Sequence, residues 1–317
     1  VIAMLSFCDY YGQTGLPQRL VDQYLNIPVK SNYISNYPYA RSAFLICEGF
    51  GGNINVYRSK HYLISQELLE QCSNRLYNAR LQGCLTALAR LLIDTLFSAY
   101  QVKASEAYQE ILERIFIDKS GVQDKFSRLI LDIASPLFRK EVLKYLAERF
   151  ESLANSRDPK EDPTLYSMTS HFFGHLGRLC SNHEYGVDNP QDAKAYCEKA
   201  VLLMEKASPE HPDPLIYHMY GEARRNLLQK RWNELGESKP SNSQYDEYER
   251  EIEAIRKIYD KTAQYGSEVY AITSQISMYI QYLKKIYVWK CITKPEHISK
   301  MTIQEVSYRG EVEELLE

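Results

Sequence analysis

Apolar positions along the chain fall into three blocks with different spacing. In the first, residues 1–9 form a nearly continuous apolar run that predicts a helix, and Gly12 and Gly15 mark a turn after it. Pro17 fits the first turn of a second helix carrying Leu20, Val21, Tyr24 and Leu25, because the first turn leaves its N–H positions unbonded anyway. Residues 35–41 follow as a short helix. The apolar run 43–47, the glycines Gly49, Gly51 and Gly52, and the restart at Ile54, Val56 and Tyr57 predict two strands joined by a loop. Residues 59–65 lead into a helix with Leu68 and Leu69.

The second block is helical. Leu81, Leu85, Leu88, Leu92 and Leu96 recur about once per helical turn, and Ile111, Ile115 and Ile117 continue the pattern. Phe126, Leu129, Ile130 and Ile133 end at Ser135 and Pro136, and Pro136 opens a helix with Val142, Leu143, Leu146 and Phe150. The polar cluster 155–162 is the expected boundary to the third block. There the spacing predicts helices over 165–180, from Pro190 through Met204, over 215–232, over 248–265 and over 269–287. Leu176–Gly177 and Tyr220–Gly221 each set a bulky residue before a small one, with Phe173 and Tyr217 upstream. Ala193 and Ala200 supply small residues on the helix after the first pair. Small residues at such positions let paired helices approach, as in tetratricopeptide repeats. The two glycines lie 44 positions apart (221 − 177), against about 34 in the regular repeat, so the repeat is degenerate.

The expected fold is mainly α. Residues 1–72 follow the order of a winged-helix-like unit (helix, helix, short helix, hairpin, helix). Residues 73–158 form a helical connector bundle, residues 159–290 a run of degenerate tetratricopeptide-like α–α repeats, and residues 291–317 a helical or flexible tail. The chain starts with Val inside an apolar run and stops inside a charged helical pattern, which suggests a piece of a longer polypeptide.

Composition narrows the setting more than the function. Apolar residues make up 44% and charged residues 25%, so the chain can bury a core. The formal net charge of −3 gives no bulk attraction to nucleic acid or an anionic membrane. Seven scattered cysteines, an odd number with no CxxC pair, point to reduced thiols in a cytoplasmic setting. No stretch approaches the roughly 18 uncharged apolar residues of a membrane helix, and residues 1–7 lack the flanks of a signal peptide. Tyrosine is abundant, 26 of 317 residues. It suits both helix–helix layers and interaction surfaces.

Candidate chemistry is sparse. His171 and His175 are four apart and face one way on a helix, as zinc ligands can. However, Phe172 stands where a metalloprotease needs its glutamate, so packing is the plainer reading and no metal is expected. Cys180, His183 and Asp188 lie near in sequence without a nucleophile pattern. The run 49–54 lacks the spacing of a phosphate loop or a dinucleotide fingerprint. The chain therefore reads as non-catalytic, with no cofactor of its own. Binding candidates are Tyr217, Arg224, Arg225, Arg231 and Trp232, a basic and aromatic set on one helix that also reads as a solvated face with Trp232 packed at its end. A nucleic-acid reading would use Arg41, Arg58 and Lys60 near the predicted wing.

The block order resembles the downstream half of signal-transducing ATPases with numerous domains, the STAND class. There a nucleotide-binding domain is followed by a winged helix, a helical region and a repeat array. Residues 2–12 resemble the first winged-helix segment, and residues 53–69 the wing strand and the helix after it. Residues 171–179, 192–200 and 218–225 resemble the repeats of bacterial anti-phage sensors and of vertebrate antiviral factors named for a sterile alpha motif domain. The resemblance implies a regulatory, ligand-sensing role through contacts with protein or with other domains of the same parent, and self-association of that parent. ATP and Mg²⁺ would belong to the parent's catalytic core, whose motifs are not in this chain. It also implies His61 as the counterpart of a phosphate-sensing histidine. The rival readings are a nucleic-acid-binding winged-helix regulator and a purely structural helical scaffold.

Overall fold

The computed structural model describes residues 1–24, 45–50, 54–77, 81–102, 106–117, 126–292 and 300–316. The protein is mainly α-helical, with a small antiparallel sheet near the N-terminus. It divides into two compact units, Val1–Arg149 and Phe150–Glu317. The predicted short helix 35–41 lies outside the described residues.

In the first unit, α1 (Ile2–Gly12) is buried from Ala3 onward, as its lack of a polar face requires. The chain turns through Gln13, which has left-handed backbone (φ 47°), into β1 (Leu16–Pro17) and α2 (Gln18–Tyr24). β2 (Leu45–Phe50) and β3 (Ile54–Ser59) form the hairpin, and β1 pairs with the other edge of β3, giving the order β1–β3–β2. Gly49 lies within β2 opposite Asn55, so it belongs to the strand and not to the loop expected from sequence.

A buried polar node joins these elements. The carboxylate of Asp9 on α1 accepts from Ser59 Oγ at the end of β3 (2.5 Å) and from Ser65 Oγ on α3 (Tyr62–Tyr77) (2.6 Å). A buried carboxylate is tolerated when its lone pairs are taken by donors. This one fixes the strand-to-helix corner. α4 (Leu81–Val102) buries Leu85, Leu88, Leu92 and Leu96, the predicted stripe. α5 (Glu106–Phe116), α6 (Arg128–Asp132) and α7 (Pro136–Ala154) follow, with Val142, Leu143, Leu146 and Phe150 of α7 buried.

The second unit is a stack of long helices. These are α8 (Pro163–Ser181), α9 (Pro190–Ala207), α10 (Pro214–Leu235), α11 (Asn242–Gln264), α12 (Glu268–Trp289) and α13 (Ile303–Leu316). The first three begin with proline behind an Asp162, Asn189 or Asp213 cap whose side chain accepts from the first turn. Each helix packs on the next, and α8 also touches α10, and α10 touches α12. The small residues sit where helices cross. A Cβ on Gly177 would lie 2.4 Å from Cys197 Sγ and 2.9 Å from the Ala193 carbonyl. A Cβ on Gly221 would lie 2.5 Å from the Tyr259 ring.

Candidate functional site

α10 presents its candidate residues on different faces, and its neighbours decide what each one does. Arg224 and Arg231 are seven apart and point at α11, where Glu251 and Glu247 are four apart. Arg224 makes a two-pronged pair with Glu251, with Nε and Nη2 each 2.7 Å from a carboxylate oxygen. Such fork-to-fork contacts are the stronger kind of ion pair. Burial pushes the Glu251 carboxyl up, but hydrogen bonds and charge from Arg224 hold it below the ordinary value. Arg231 donates to Glu247 at 2.7 Å in a more exposed setting.

Arg225 shares a largely buried stripe with His218 and Glu222. Its Nη2 donates to Glu222 at 2.5 Å, and the other Glu222 oxygen accepts from the buried Tyr259 hydroxyl at 2.8 Å. The His218 ring lies 5.5 Å from that of exposed Tyr270 on α12. Tyr217 points the other way. It is buried, donates to Glu205 on α9 at 2.6 Å and stacks on Tyr265, with Lys261 Nζ 4.9 Å above its ring and 3.1 Å from the same carboxylate. Trp232 is a core residue, stacked on Tyr282 at 5.3 Å and edge-on to Tyr248. The five candidates therefore do not converge on one site. Three are arginines set against carboxylates, and the two aromatics pack inside.

The other candidates are also placed. His171 Nε2 lies 2.9 Å from Asp213, the cap of α10, and His175 is buried. Burial pushes the Asp213 carboxyl up, but the hydrogen bonds from His171 and the Leu215 N–H pull it below its ordinary value. Cys180 is buried, while exposed His183 pairs with Asp188 at 3.3 Å. Among the described residues no group of three or more His, Cys, Asp or Glu side chains could hold a metal. His61 is exposed at the start of α3, where its Nδ1 accepts from the Leu63 N–H (3.2 Å). Arg58 pairs with Glu48 across the hairpin at 2.7 Å, and Lys60 is exposed. Arg41 lies outside the described residues.

Sequence reasoning missed a polar recess at the far end of the stack. It measures about 620 Å³, and its walls come from Tyr245 and Glu249 on α11, Trp289 at the end of α12, and Lys290 and Thr302 beyond it. Behind it, Glu305 of α13 is fully buried and accepts from Lys290 Nζ (2.6 Å) and the Thr302 N–H (2.8 Å). The spacing Thr302-x-x-Glu305 is a helix-start signature that could have located this corner. No described helix is long and apolar enough to cross a membrane. Compared with protein-family models, curated proteins and solved structures, the chain matches none of them.

Proposed function

We propose that the chain is a non-catalytic regulatory and ligand-sensing region of a larger cytosolic NTPase of the STAND type, acting through protein contacts. The observation that carries this reading is the second unit's stack of paired helices, drawn together at Gly177 and Gly221. Stacked helix pairs offer long side faces for partners and no built-in chemistry. The part-buried stripe His218, Glu222 and Arg225, beside exposed Tyr270, is one face of α10 that a partner could meet. Among the described residues of the first unit, the order of helix, short strand, helix, hairpin and helix supports a winged-helix-like relay. The nucleic-acid alternative is less favoured, because Arg58 is matched by Glu48.

The test is the mass of the full polypeptide that contains this chain, by size exclusion with light scattering, with and without ATP and Mg²⁺. The reading expects a nucleotide-dependent change from monomer to a defined oligomer, weakened by Arg225→Glu. A full polypeptide without an NTPase core, or a mass indifferent to nucleotide, would overturn it.

A further inference from the structure

The last described helix, α13, has two unlike faces. Glu305, Tyr308 and Val312 are buried on the side of α12, where Tyr308 stacks on Tyr279. Ile303, Val306, Ser307, Gly310 and Glu314 recur at three- and four-residue spacing, so they share the opposite face. All five are exposed. Ile303 is 93% exposed and Val306 47%, and a Cβ added at Gly310 would meet nothing within 4 Å. The outward face of a helix is ordinarily polar. Here its centre is apolar and small, with a shallow gap at the glycine.

Charge along α13 narrows what can cover that face. Lys300 stands just before the helix, while Glu313 and Glu314 lie in its last turn, which holds no basic residue. The C-terminal end of a helix is already its negative pole, so carboxylates there are unfavourable without a cation. Arg309 answers part of this through Glu313 (3.2 Å), in an exposed pair. A covering helix that ran antiparallel to α13 would set its positive N-terminal pole against that acidic end. α13 of a second copy meets both requirements. In an antiparallel pair centred between Val306 and Ser307, Ile303 of each copy falls level with Gly310 of the other, the large side chain over the gap. The same register sets Lys300 of each copy level with Glu313 of the other.

We propose that the exposed face of α13 is a self-association surface, through which two copies of this chain pair antiparallel with Ile303 seated over Gly310. One helix crossing is a small interface, so the dimer is a weak one. The inference rests on α13 alone and concerns this chain without nucleotide, so it stands or falls separately from the regulatory reading of the stack.

The experiment is sedimentation velocity of the whole chain, without nucleotide and with reductant to keep the exposed Cys47 and Cys291 as thiols, from about 1 to 300 µM. A monomer–dimer equilibrium is expected, with a dissociation constant on the order of 10–100 µM. Ile303→Lys should weaken it at least about tenfold, since each dimer loses two buried isoleucines. Gly310→Leu adds apolar surface but fills the gap that Ile303 needs, so it should also weaken the dimer, by at least several-fold. Lys300→Glu should weaken it a few-fold, and adding Glu313→Lys should restore part of the loss. All four positions are exposed, so the variants should keep the wild-type circular dichroism spectrum. A wild type that stays monomeric over the whole range would overturn the proposal. So would a dimer unchanged by Ile303→Lys, or one strengthened by Gly310→Leu, which is the mark of unspecific apolar association.

Discussion

At one end of the second unit, α8 and α9 meet backbone to backbone, with Gly177 under Cys197 and the Ser170 hydroxyl bonded to the Ala200 carbonyl at 2.8 Å. At the other end, α12 and α13 meet through bulk and charge. Tyr279 stacks on Tyr308 at 4.9 Å, and Lys290 reaches buried Glu305. The first contact is dry: Cys180 and Cys197 are both buried, and burial pushes the Cys197 thiol up to about 12. The second leaves polar atoms unmatched. Close packing fixes one geometry and tolerates no added volume. A polar corner is held by a few strong contacts and fails when one of them is removed.

The largest expected effect is therefore at the polar end. Lys290→Met strands the fully buried Glu305 carboxylate, and chemical denaturation should show a loss of about 3–5 kcal/mol, the usual result of removing one partner of a buried pair. Replacing Lys290 and Glu305 together by apolar residues should recover part of it.

Next comes one substitution made at both ends. Gly177→Ala places a methyl against Cys197 and the Ala193 carbonyl, and should cost about 1–3 kcal/mol. Gly310→Ala on α13 meets nothing within 4 Å, and should stabilise by about 0.5–1 kcal/mol through helix propensity. Thermal melts of the two variants should move in opposite directions. A shared direction would break the comparison.

A smaller effect separates the two arginine pairs between α10 and α11. A double-mutant cycle on Arg224 and Glu251 should give a coupling of about 1–2 kcal/mol. The more exposed Arg231 and Glu247 should give below about 0.5 kcal/mol. Because Glu251 is held below its ordinary value in the folded state, its contribution is present above the unfolded pKa, about 4.3. It is lost as pH falls through the lower folded value. Glu251→Gln should flatten that part of the acid denaturation profile.

Most of the helices could be read from sequence because local signals agreed. Pro163, Pro190 and Pro214 each follow a capping residue, and apolar periodicity marks α11 and α12. The last helix was harder to place. Its buried stripe of Glu305, Tyr308 and Val312 contains a carboxylate, and Gly310 weakens its middle. Strand β1 has two residues and no pattern of its own. Its pairing with Val56 and Tyr57 is a long-range event. The arginines of α10 were visible as charge, but the partners of Arg224 and Arg231 lie on α11, and only Arg225 pairs within its own helix, with Glu222. Whether an arginine is available to a ligand is settled by packing, which composition does not carry. The recess was hidden for the same reason, since its walls come from α11, the end of α12 and connecting residues far apart in sequence.

Native-state hydrogen exchange tests the contrast between the two ends most directly. Among elements of the stack, α13 packs mainly on α12, whereas α8 packs on both α9 and α10. The amides of α8 and α9 should exchange through global unfolding, while those of α13 should open at a lower free energy. Equal opening free energies for α8, α9 and α13 would contradict the account.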